Sequence, residues 1–165
     1  IKSSIADYNE AIRLEPGHAQ TLIDRANSYL VIERYDQAIR DYDKALILTP
    51  NAEPALRNRC LARAAWGREL DLALNDCDAA FAIAPSPMTL SQRAMVHMRR
   101  GDLAEALQDF DLSYSKDPRL TGSLYGRGVA RLRLGQNEEG MADIAAAKRA
   151  DPSVDEAYAR YGIKP

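Results

Sequence analysis

The chain has 165 residues, a formal charge of −2, 28% charged and 46% hydrophobic residues; this is a soluble, ordered composition, enough for one compact domain or a short repeat array. Without a basic excess to collect phosphates it is a poor nucleic-acid binder, and no apolar run approaches the roughly 20 residues of a membrane-spanning helix. Two cysteines are too few for a disulfide scaffold. With two histidines they match no zinc spacing, so neither a metal nor a cofactor is expected.

In chain order, residues 1–18 hold one amphipathic helix, with Ser4, Tyr8 and Ala11 spaced along it and Pro16 closing it. Residues 19–52 hold two. The first contains LIDRANSYL from Leu22; the second carries Ala38, Ile39, Tyr42, Ala45 and Leu46 at helical spacing and ends at Pro50. Residues 53–86 repeat the plan with LRNRCLARA from Leu56, a glycine stop at Gly67, then Ala73, Cys77, Ala80 and Pro85. Residues 87–120 follow with LSQRAMVHM from Leu90, Gly101, Ala106, Phe110, Ser113 and Pro118. Residues 121–154 follow with LYGRGVARL from Leu124, Gly135, Gly140, Ile144, Ala147 and Pro152. Residues 155–165 begin another first helix and read as a capping helix.

The leucines recur every 34 residues, and with them Arg25, Arg59, Arg93 and Arg127, each followed by a small residue. Proline spacings are 34, 35, 33 and 34, with one extra residue near Gly67–Leu70. The pattern resembles the tetratricopeptide repeat, a 34-residue helix–turn–helix with W-x2-L-G-x2-Y, A-x3-F and P. Here leucine stands at the usual Trp, arginine at the Leu, and Ala, Cys or Gly at the Gly. The resemblance implies an all-α solenoid, a right-handed superhelix of antiparallel helix pairs, with about four and a half repeats in one domain. Residues 1–18 supply only the second half of a repeat.

The resemblance also implies a protein-interaction module or scaffold whose partner is another protein or a peptide. First helices of the family line a concave surface. On this chain its candidate groove comprises Ile23, Asn27, Arg57, Leu61, Met88, Met95, Met98, Arg99, Tyr125, Val129, Leu132 and Arg133. Methionine adapts to varied apolar partners, and the three groove methionines share one helix face. Asn27 and Asn58 fit two places of the carboxylate clamp some relatives use. Ile23, Met88 and Gln92 occupy its basic places, so the clamp is incomplete. The alternative is structural: self-assembly, or docking within a longer protein, through a half-repeat whose Ile1, Ile5 and Ile12 lack a covering helix.

No residues suggest catalysis, and the chain does not read as an enzyme. Gly126 and Gly128 begin a G-x-G-x-x-G but Arg131 holds the third place and no strand precedes it; they are packing positions. His97 shares a column with Tyr29, Arg63 and Arg131, which suits packing or the groove. Aspartates recur at Asp7, Asp41, Asp76, Asp109 and Asp143, level with the arginines across each hairpin, and predict a ladder of ion pairs. Cys60 and Cys77 share one helix pair and are expected to be buried and reduced. A disulfide requires Cα atoms closer than about 7 Å and an oxidising compartment. The compartment is open between cytoplasm and bacterial periplasm.

Overall fold

The computed structural model describes residues 2–165, with side chains from Ser4 onward; Ile1 lies outside the described residues. Ten helices follow one another: α1 (Lys2–Leu14), α2 (Ala19–Val31), α3 (Tyr35–Leu48), α4 (Glu53–Trp66), α5 (Leu70–Ile83), α6 (Pro87–Arg100), α7 (Leu103–Lys116), α8 (Thr121–Arg133), α9 (Asn137–Ala150) and the short α10 (Val154–Ala159). They pack as successive pairs, α2 with α3 through α8 with α9, while α1 leans on α2 and α10 on α8 and α9. First helices of successive units touch (α2 with α4, α4 with α6, α6 with α8), but among the described residues successive second helices do not. The array therefore curves with its first helices on the inside.

The small-residue columns make each pair close. Ala26, Cys60 and Ala94 on first helices, and Ala38, Ala73 and Ala106 on second helices, are all fully buried. In the last full pair both positions are glycine, and a Cβ on Gly128 would lie 2.8 Å from the Gly140 carbonyl oxygen. Tyr42, Cys77 and Phe110 plug the next turn of the second helices, fully buried. Gly126 leaves the room that the Phe110 ring fills. Gly128→Ala adds overpacking of about 1–3 kcal/mol against a gain of about 1 kcal/mol in helix propensity. The obstacle is backbone, so urea unfolding should show a net loss of about 1–2 kcal/mol. Gly17→Ala, with open space around it, should be neutral.

First helices end on a left-handed residue. Gly67, Gly101 and Gly135 have φ of 71°, 89° and 81°, and Glu33 takes the same place in the first full unit at φ 61°. The extra residue near Gly67–Leu70 is absorbed by Glu69, itself left-handed at φ 54°. Its carboxylate accepts from Arg63 Nε at 3.0 Å.

Cys60 and Cys77 depart from expectation. Both are fully buried, but they are bonded to each other, with Cα atoms 5.5 Å apart. Cys60 lies in the small-residue column of α4 and Cys77 in the plug column of α5, which face each other across the pair, so the two side chains come within disulfide reach. At the N-terminal end Ile5 and Ile12 are half-buried, and Ile12 packs against the first core cluster. The large apolar side chains most open to solvent here are instead Leu14, Val31 and Ile47.

Candidate peptide-binding groove

The arginine column frames the units. Arg25 grips Asp41 through Nε and Nη2, both at 2.7 Å. Arg59 grips Asp76 at 2.9 and 2.5 Å, and Arg93 grips Asp109 at 2.7 and 2.8 Å. Arg127 grips Asp143 at 2.7 and 2.8 Å. In every case the remaining Nη1 reaches the preceding unit, donating to Asn9 at 2.7 Å, Asp43 at 2.7 Å, Asp78 at 2.7 Å or Asp111 at 2.8 Å. Each arginine thus stitches its own helix pair and ties it to the pair before. The aspartates lie level with the arginines across the hairpin, which makes the forked geometry repeat.

Arg93 and Arg127 also lie over the rings of Phe81 and Tyr114 from the preceding unit, 5.5 and 5.0 Å from the centroids. The bonds to Asp109 and Asp143 raise the pKa of these two arginines further above its ordinary value, against the pull of desolvation. Asp7 makes no ion pair among the described residues. The His97 column serves the same ladder. Arg131 gives Asp143 a second donor at 2.6 Å, and Arg63 does the same for Asp76.

The groove residues divide. Met88 and Arg133 are exposed, while Asn27, Arg57, Leu61, Arg99 and Leu132 are half-buried. Ile23, Met95, Met98, Tyr125 and Val129 are buried, which corrects the expectation of an open floor. Met98, Tyr125 and Val129 belong to the C-terminal core cluster, together with Tyr158 and a fully buried Ile163. The Tyr125 and Tyr158 rings meet edge-on, 5.2 Å between centroids. Asn27 is committed inside the array, because its Oδ1 accepts from Tyr42 at 2.6 Å and from Asn58 at 2.9 Å. Ile23 belongs to the first core cluster, apart from the methionines.

Three predicted residues do meet. Leu61, Met88 and Met95 line one cavity of about 270 Å³ with Ser91, Gln92, Leu120, Tyr158 and Tyr161. Gln92 is buried, and its Oε1 has no hydrogen-bond donor. Sequence reasoning noted Gln92 only as a missing clamp cation; the signal for its role is its position one turn before Met95 on α6. Tyr161 was missed because it stands in the arginine column and read as part of a capping helix. The arginines at the edge are engaged: Arg57 with Glu53 at 2.9 Å, Arg133 with the Lys164 carbonyl at 2.7 Å. Arg99 lies so close to Gly67 and Gly162 that a Cβ on either would overlap its guanidinium.

Among the described residues no three His, Cys, Asp or Glu side chains gather as a metal site requires. Among the described residues no helix is long and apolar enough to cross a membrane. A curved array of helix pairs, with a groove on its inner face, is the architecture of a helical-repeat binding module.

Known tetratricopeptide repeat families match residues 19–52 and residues 91–155, together more than half of the chain. The chain belongs to the tetratricopeptide repeat family. Among curated relatives, it is 49% identical over 37 residues to DnaJ homolog subfamily C member 3 of Rattus norvegicus, a stretch that is 22% of this chain and 7% of the rat protein. Among solved structures, MamA superposes with a TM-score of 0.76 at 19% identity, over 95% of this chain and 90% of that one. YrrB, described as a TPR protein with an unusual peptide-binding site, superposes with a TM-score of 0.68 at 19% identity, over 94% and 80%. At these identities the likeness establishes the fold alone. The family's repeats make this chain a protein-interaction module in general terms.

Proposed function

We propose that the concave face binds a peptide, with an apolar side chain of the partner anchored in the cavity between α4, α6 and α8. The observation that carries this is the conjunction of apolar walls (Leu61, Met88, Met95) with the orphaned acceptor on Gln92. A buried acceptor without a donor costs about 1–3 kcal/mol, and rotation of the Gln92 amide toward the cavity would let a partner's backbone N–H satisfy it. The wall's methionines suit an adaptable anchor. YrrB's description as peptide-binding supports the reading by analogy of fold. The bond between Cys60 and Cys77 supports an oxidising compartment.

The test is selection of peptides from a displayed random library on the intact chain. The double variant Leu61→Glu with Met88→Glu puts charge on the two less buried walls. It should keep its helical circular dichroism and melting temperature near those of the parent. Affinity for the selected peptides should fall by about tenfold or more. Unchanged affinity in a folded variant would move the site elsewhere.

A further inference from the structure

The last unit does not finish its helix. Tyr158, Tyr161 and Gly162 continue the leucine, arginine and small-residue columns, yet α10 ends at Ala159. Gly162 adopts φ 69°, and the turn closes with Gly162 N–H on the Ala159 carbonyl at 3.0 Å and Ile163 N–H on the Tyr158 carbonyl at 3.1 Å. The chain beyond turns onto the inner face. Ile163 is fully buried in the cluster that contains Met98 and Val129. Arg133 donates to the Lys164 carbonyl, and the Arg99 guanidinium packs against Gly162, where it would have to move to admit a side chain.

These contacts have the form of ligand recognition. An aliphatic side chain fills an apolar site, and an arginine on the groove edge, Arg133, bonds a backbone carbonyl, which is indifferent to sequence. Tyr161 stands between two cavities. One is the 270 Å³ site with Leu61, Met88 and Met95; the other, about 240 Å³, is shared with Leu30, Val31 and Tyr35 of the first full unit. Both clefts open to solvent, and of the segment's side chains only Ile163 is buried, with Tyr161 half-buried and Arg160, Lys164 and Pro165 exposed.

We propose that residues Arg160–Pro165 are a built-in occupant of the groove. On this account the partner is a peptide of the same chemistry, an aromatic residue followed by a small residue and then an aliphatic one, which displaces it. The proposal rests on reading the concave face as a peptide site. It adds that the free chain is self-blocked and that its own sequence Tyr161-Gly162-Ile163 describes the ligand.

The experiment uses a fluorescein-labelled synthetic peptide of residues 157–165 and three forms of the 165-residue chain: the parent, Ile163→Asp and Gly162→Ala. Ile163→Asp removes the aliphatic anchor. Gly162→Ala strains the left-handed residue and collides with Arg99. By fluorescence anisotropy each variant should bind the peptide about tenfold or more tightly than the parent does. A peptide with both Tyr161 and Ile163 replaced by alanine should not bind. Equal affinity for parent and variants, or no binding to a variant that retains its helical circular dichroism, would overturn the proposal. Loss of helical structure in both variants would make the segment a core element and overturn it equally. If the library-selected peptides bind parent and variants alike and still depend on Leu61 and Met88, the groove site stands and the self-blocking falls.

Discussion

Replacing Arg25 or Arg93 by alanine is expected to destabilise the fold by about 3–5 kcal/mol, the cost of leaving a buried charge without its partner. The Asp41 side chain is 5% exposed and the Asp109 side chain 10%, and each takes both lobes of its only arginine. The same change at Arg127 should cost less, because Arg131 still donates to Asp143. Arg59→Ala should likewise be softened by Arg63, which reaches Asp76. Lysine should rescue only part of the loss, since a point charge cannot fork onto both carboxylate oxygens and the preceding unit at once. Chemical denaturation of the four alanine variants checks the order. Four equal losses of under about 1 kcal/mol would make the ladder surface decoration.

The second large effect belongs to the second full unit. Cys60→Ala with Cys77→Ala removes a cross-link between α4 and α5 that spans 17 residues. A loop of that length is worth about 3 kcal/mol through the unfolded chain. The parent should lose a similar amount on addition of reductant, and the double variant should be indifferent to it. The break falls in the middle of the array. Units on either side are coupled only through neighbours, so a broadened or two-step transition is expected along with the lower midpoint. A parent whose melting curve ignores reductant would contradict this.

The repeating columns made the architecture legible, because spacing alone forces small residues, plugs and helix stops into register. The arginine–aspartate pairing was legible for the same reason. Its third contact was not: Asp43, Asp78 and Asp111 stand two residues after the paired aspartates, and only the stagger between successive units shows that one guanidinium reaches both columns. The cysteines turned on a Cα separation that no sequence spacing supplies. The groove was legible on each helix singly, since Met88, Met95 and Met98 do share one face. Which of them meets a ligand depends on the segment after α10. That segment reads like one more repeat until Gly162 turns it and Ile163 joins the cluster of Met98, Tyr125 and Val129. Gln92 became informative only once its burial and missing donor were known.

The central claim is that partners enter the inner face at the Leu61–Met88–Met95 cavity, and the four methionines report on it directly. Met88, Met95 and Met98 are on α6, whereas Met141 is exposed on the second helix α9. With ¹³C-methyl methionine in the full chain, titration with a library-selected peptide should shift the Met88 and Met95 methyl signals and leave Met141 unmoved. Movement of Met141, with Met88 and Met95 silent, would contradict the account and place the binding surface on the outside of the array.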